Sequence, residues 1–169
     1  MKNVTLLDAE ALYQTLLGQI RQQPNCTQLQ LIGVHTGGVW LAERLHADLG
    51  LTTPLGTIDS AFYRDDLKAR GLRQNVQPSQ IPFSVEGAQI LLVDDVLYTG
   101  RTVRGVLNEI FDYGRPAAVH LAVLVDRGGR QLPVAASFAG AHLALTAQQT
   151  LVLARSTEGK FTLTLEDAA

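Results

Sequence analysis

One stretch constrains this chain more than any other: Ile90, Leu91, Leu92 and Val93, then at once Asp94 and Asp95, then Val96, Leu97, Tyr98, Thr99, Gly100, Arg101 and Thr102. An unbroken apolar, partly β-branched run predicts a strand covered on both faces, as in a parallel sheet with helices above and below. The two carboxylates are expected where that strand runs out of the sheet. Residues 99–102 then offer hydroxyls, a glycine able to turn tightly and a cation, just ahead of a helical pattern in Val103, Val106, Leu107, Ile110 and Phe111. A loop at a helix N-terminus presents unpaired N–H groups and the positive end of the helix dipole, which suits a phosphate. Carboxylates accept hydrogen bonds from a diol, and their oxygens suit Mg²⁺. Acids beside a phosphate cradle point to a sugar phosphate.

Three other readings compete. A Walker B strand also ends in acids, but the chain has no GxxxxGK[ST] loop to serve it. A phospho-receiver domain carries its acid pair after the first strand, whereas two strand-like segments precede this one. The third alternative, a solvated strand end with no ligand, stays open on these residues alone.

The rest of the chain repeats the strand-loop-helix unit. Leu6, Leu7, Ala11, Leu12, Leu16, Leu17 and Ile20 recur at helical spacing and predict a packing helix over residues 8–22, with Asp8 as N-cap. A strand over residues 29–34 opens into His35, Thr36, Gly37 and Gly38, followed by a helix with Val39, Trp40, Leu41, Leu45 and Leu49 on its apolar side. Two glycines there allow a ligand to approach the backbone, or simply make a tight turn. Residues 55–62 predict a second strand. The polar stretch that follows, residues 63–82, carries Arg64, Lys68, Arg70 and Arg73 and has the length of a lid or a solvated hairpin. Gly114 and Pro116 stop the helix after the acids, and residues 117–125 predict another strand. His120, within it, has no His, Cys or acidic partner at ligand spacing and is expected to pack. After the polar loop 126–133, two β-rich segments around Gly159 predict a terminal hairpin.

Ligand loops after successive strands imply an α/β fold with a doubly wound, mainly parallel sheet and a site beyond the carboxyl ends of its strands. At 169 residues one domain is expected. A formal net charge of -2 gives no overall basic footprint for nucleic acid, although a local patch is compatible with it. No apolar run approaches the length of a bilayer span, the first residues lack a signal-peptide core, and the single cysteine, Cys26, cannot form an internal disulfide. The expected location is the cytoplasm.

Residues 93–102, VDDVLYTGRT, together with YRDDL at 63–67 and the spaced DRG, R and LP of residues 126–133, resemble the PyrR family of uracil phosphoribosyltransferases and pyrimidine-operon attenuators, within the type I phosphoribosyltransferases. The resemblance spans nearly the whole chain. It implies a phosphoribosyltransferase fold with a small hood, formed from about residue 126 to 169 with N-terminal contributions. The implied reaction is uracil plus phosphoribosyl pyrophosphate (PRPP) giving UMP and pyrophosphate, with Mg²⁺. By the same resemblance, Asp94 and Asp95 bind the ribose hydroxyls, directly or through the metal. Val96, Leu97, Tyr98, Thr99, Gly100, Arg101 and Thr102 form the PRPP loop, and Thr36, Gly37 and Gly38 hold the pyrophosphate. Arg64 closes over it from the mobile loop at about 63–82, and Asp126 and Arg127 lie near the base. UMP or UTP is an expected ligand, and a homo-oligomer an expected state. Two departures matter. The family typically has Thr-Arg-Gly where this chain has Thr36-Gly37-Gly38, so a cation beside the pyrophosphate is missing and weaker catalysis is predicted. Gly129, Ala135 and Ala141 stand where histidine, arginine and lysine are common in relatives that bind leader RNA, and no lysine lies between Lys68 and Lys160. Weak or absent RNA attenuation is predicted.

Overall fold

The computed structural model describes residues 4–60 and 78–167. Among them, five strands form one parallel sheet in the order β3-β2-β4-β5-β6. These are β2 (Gln30–Val34), β3 (Gly56–Ile58), β4 (Gln89–Leu97), β5 (Ala118–Asp126) and β6 (Phe138–His142). Helices α1 (Ala9–Arg21) and α2 (Gly37–Asp48) cover one face, and α3 (Arg101–Tyr113) covers the other. Side chains of β4 divide accordingly. Leu91 and Val93 join the core under α1 and α2, while Ile90 and Leu92 join Val103, Val106 and Ile110 of α3. Two-sided burial is what demanded an unbroken apolar run; each such side chain contributes about 1.5–3 kcal/mol on leaving water.

The strand order reverses between β2 and β4, because the chain leaves β2 toward β3 on one side and resumes at β4 on the other. Crevices open outside the carboxyl ends of strands at such a switch point. The loops that end β2 and β4 therefore flank the place where a ligand fits best.

A second, antiparallel sheet in the order β1-β8-β7 packs Leu151, Leu153, Phe161 and Leu163 into the core beside α1 and α2; its strands are β1 (Val4–Leu7), β7 (Gln149–Arg155) and β8 (Phe161–Asp167). Glu10 fastens it, pairing with Arg44 at 2.8 Å and accepting from the Phe161 amide at 2.8 Å. The Arg44 guanidinium lies 4.2 Å from the Tyr13 ring centre and 5.1 Å from that of Phe161. That guanidinium, ahead of the backbone bond, holds the Glu10 carboxyl below its ordinary range.

Several sequence expectations hold. Asp8 caps α1, accepting from the Ala11 amide at 3.0 Å, and Gly159 turns the terminal hairpin with φ +82°. Others are corrected. Leu6 and Leu7 belong to β1 rather than to a helical run, and Leu6 is 70% exposed. Only their pairing with β8, some 160 residues away, makes them a strand. Strand β6 was not foreseen, because Ala139, Gly140 and Ala141 have little β propensity and the strand exists by pairing with β5. Strand β3 stops at Ile58, short of the expected end. Phe111 points to water, not to the core. Helix α2 begins at Gly37, so both glycines sit in its first turn instead of before it. Finally, β4 does not end at the acids: Val96 and Leu97 still pair with Val125 and Asp126, so Asp94 and Asp95 are part of the strand.

Candidate active site

Beyond β4 the backbone turns through Gly100, whose φ of +93° is one that residues with a side chain rarely adopt, and enters α3 at Arg101. A side chain at position 100 would also collide with Val134. Asp94 is buried and Asp95 half-buried. One carboxylate oxygen of Asp94 accepts from the Asp95 amide at 2.9 Å, and one of Asp95 accepts from the Val96 amide at 2.9 Å. Each acid is thereby oriented by the backbone next to it.

A cleft of about 700 Å³ opens here. Residues 94–103 form one wall, Arg127 and Gln131 a second, and Ala147, Gln149, Thr150 and Leu151 of the small sheet and its approach a third. Arg127 is almost fully buried. Its guanidinium lies 3.9 Å from the Tyr98 ring centre and donates to the carbonyls of Gln149 at 2.8 Å and Thr146 at 2.6 Å. Both acceptors are neutral, so Arg127 keeps its positive charge in the lining that it shares with the two acids. Such a mixture suits a ligand with both hydroxyls and phosphates.

Of the residues singled out in the sequence, Asp94, Asp95, Val96, Leu97, Tyr98, Thr99, Gly100, Arg101, Thr102 and Arg127 all line this cleft. Asp126 does not; it faces Arg130, at 2.6 Å, and accepts from the Gly128 amide at 3.0 Å. Burial alone would raise its carboxyl, but the Arg130 bond and then the Gly128 amide outweigh this and hold it below the ordinary range. Thr36, Gly37 and Gly38 are also outside the lining, though they approach it from the end of β2. A Cβ on Gly37 would lie 2.5 Å from Oδ2 of Asp95, and one on Gly38 would fall on the carbonyl oxygen of Val93. These glycines permit the close approach of two protein segments, the tight-turn alternative, while their backbone remains beside the cleft. Arg64, and with it YRDDL, lies outside the described residues.

Sequence reasoning passed over Gln131, Gln149, Thr150 and Leu151, and gave Arg130 no role. The arginine had a signal in its spacing after Asp126. The small-sheet residues had none, since the fold alone brings them to the cleft.

The carboxylate pair also bears on magnesium. Among the described residues no cluster of three or more His, Cys, Asp or Glu side chains could enclose a metal. Two adjacent acids beside a cleft that large nevertheless fit Mg²⁺, which is commonly bound through one or two carboxylates together with substrate phosphates and water.

A family model described as the phosphoribosyl transferase domain matches residues 4–143. A bifunctional protein PyrR of Ralstonia nicotianae is 51% identical over 166 residues, which cover 95% of each chain. That of Nitrosococcus oceani is 51% identical over 152 residues, 87% of this chain and 86% of its own. Among solved structures, a hypoxanthine-guanine phosphoribosyltransferase from Bacillus anthracis matches with a TM-score of 0.66 at 18% identity, over 83% of this chain and 84% of the other, a likeness of fold alone. Fold, cleft and relatives agree, and the chain belongs to the PyrR family of the phosphoribosyltransferases.

Proposed function

We infer that the protein is a uracil phosphoribosyltransferase of the PyrR type, converting uracil and PRPP to UMP and pyrophosphate. The observation that carries this is the continuity of Asp94 and Asp95 with the Gly100 turn and the N-terminus of α3 along one wall of one cleft. Asp94 and Asp95 accept hydrogen bonds from the ribose hydroxyls and are the residues that would hold Mg²⁺ together with substrate oxygens; when bound, the ion neutralises charge on the departing pyrophosphate. Residues 99–102 and the first-turn amides of α3 anchor the 5′-phosphate. The ribose C1′ becomes oxocarbenium-like as pyrophosphate leaves, so the protein's work is to fix the sugar between two anchors and to surround the developing charges with preset dipoles. We assign Thr36, Gly37 and Gly38 to the pyrophosphate side, Arg64 to closure over it, and Arg127, with Asp126 acting through the turn that carries it, to the base side. The single domain with its small-sheet hood, a homo-oligomeric state, a nucleotide effector such as UMP or UTP and a cytoplasmic location complete the proposal; no helix among the described residues is long and apolar enough to cross a membrane.

Assaying labelled uracil, hypoxanthine and orotate with PRPP tests this. Uracil alone should react, and turnover of a purine only would overturn the assignment.

The relatives are named bifunctional, and the family resemblance implies leader-RNA binding as the second activity. We propose that this activity is weak here. Gly129 and Ala135 are exposed and Ala141 half-buried, and none supplies a cation. Filter binding with pyrimidine-operon leader RNA should detect little retention; submicromolar, UMP-enhanced and salt-sensitive binding would reverse this reading.

A further inference from the structure

Behind the cleft, one guanidinium uses all three of its nitrogens on three different segments. Arg130 Nη1 donates to the carbonyl of Tyr98 at 2.6 Å, Nη2 to Asp126 at 2.6 Å, and Nε to the carbonyl of Val134 at 2.9 Å. Tyr98 and Val134 flank the Gly100 turn, the first through the chain and the second by contact. Further bonds tie the same two loops: the amides of Gln131 and Leu132 donate to the Thr99 carbonyl at 2.9 and 3.2 Å, and Arg101 Nε donates to the Gln131 side chain at 2.9 Å. Asp126, for its part, shapes the turn that leads out of β5 by accepting from Gly128, and that turn carries Arg127 onto the Tyr98 ring. Arg130 does not line the cleft. Its bonds nevertheless hold a carbonyl of the loop that does.

We propose that Arg130, held by Asp126, is a positioning residue that fixes the loop over residues 98–100 for a 5′-phosphate and couples it to the turn at Arg127. A planar guanidinium fits this place because three acceptors lie around its edge, and the point charge of a lysine could satisfy only some of them. The proposal rests on the reading of the cleft as a phosphoribosyl site.

Calorimetry with ribose 5-phosphate and, separately, with magnesium pyrophosphate tests it on wild type, Arg130→Met, Arg130→Lys and Asp126→Asn. Losing hydrogen bonds from a charged donor should weaken ribose 5-phosphate binding about tenfold in Arg130→Met. Pyrophosphate binding should not change, and in turnover the KM for PRPP should rise by a similar factor with kcat moving far less. Arg130→Lys should recover part of the loss, and the isosteric Asp126→Asn should show a smaller loss of the same kind. Unchanged ribose 5-phosphate affinity in Arg130→Met, or equal weakening of both ligands in step with a lower melting temperature across the variants, would overturn the proposal. A wild-type protein that binds no ribose 5-phosphate would instead remove the phosphoribosyl reading of the cleft, and this inference with it.

Discussion

The chain builds a strand-loop-helix turn twice at the switch point, after β2 and after β4, and uses glycine in both for opposite reasons. At the start of α2 the glycines are buried and let the helix lie against β4, with Gly38 on the Val93 carbonyl and Gly37 on the Asp95 carboxylate. At the start of α3, Gly100 supplies a left-handed backbone angle at the edge of an open cleft. The first turn is thus packed against the strand that carries the acids, while the second, its glycine backed by Val134, lines the cleft and is braced from behind by residues 130–134. Two loops with the same sequence character need glycine for different reasons; what lies against each glycine and the backbone angle it adopts decide.

The largest test of that contrast is Asp95→Asn, because Asp95 belongs to the cleft and also touches the closed turn. Turnover should fall by about 10²–10³-fold, the scale seen when one preset electrostatic partner is removed from a reacting centre. A near-wild-type kcat/KM would place Asp95 with the packing of α2 and outside the chemistry. Next comes the paired comparison of Gly38→Ala with Gly100→Ala. The first forces a methyl onto a backbone carbonyl that cannot yield cheaply, so stability in denaturant should drop by about 2–3 kcal/mol. The second adds about 1–2 kcal/mol of backbone strain at the cleft and sets a methyl against the Val134 side chain, which must shift, so its main effect should be a KM for PRPP raised about tenfold. Exchange of these two phenotypes would break the comparison. The smallest effect concerns acid. Since Asp126 titrates below its ordinary 3.8, its ion pair with Arg130 contributes stability that is complete above that value and lost as the pH falls through the lowered one. Denaturant unfolding between pH 7 and pH 3 should therefore show wild type losing more than Asp126→Asn, by about 1 kcal/mol or less.

Much of this was written in short-range pattern. The apolar run before Asp94 predicted a doubly covered strand, Asp8 its own cap, and Gly100 a turn into a helix, since each rests on residues close in sequence. What escaped was pairing at a distance. Nothing in Val4–Leu7 announces β8 as a partner, and β6 is a strand only by leave of β5. The candidate site divides the same way. Its floor was legible from residues 94–102, whereas Gln149, Thr150 and Leu151 reach it through a sheet no local pattern could dock. The brace from Arg130 went unread because its key acceptors at Tyr98 and Val134 are main-chain carbonyls, which every residue possesses.

Because β4 stays in register with β5 at Asp94, Val96 and Leu97, the two acids are carried on backbone that should shift only when the sheet itself opens. An incoming sugar would then meet acceptors that are already stationary. Little ordering of the protein floor would be needed at the moment of capture, and discrimination between a correct and an incorrect hydroxyl pattern would be built in before any ligand arrives.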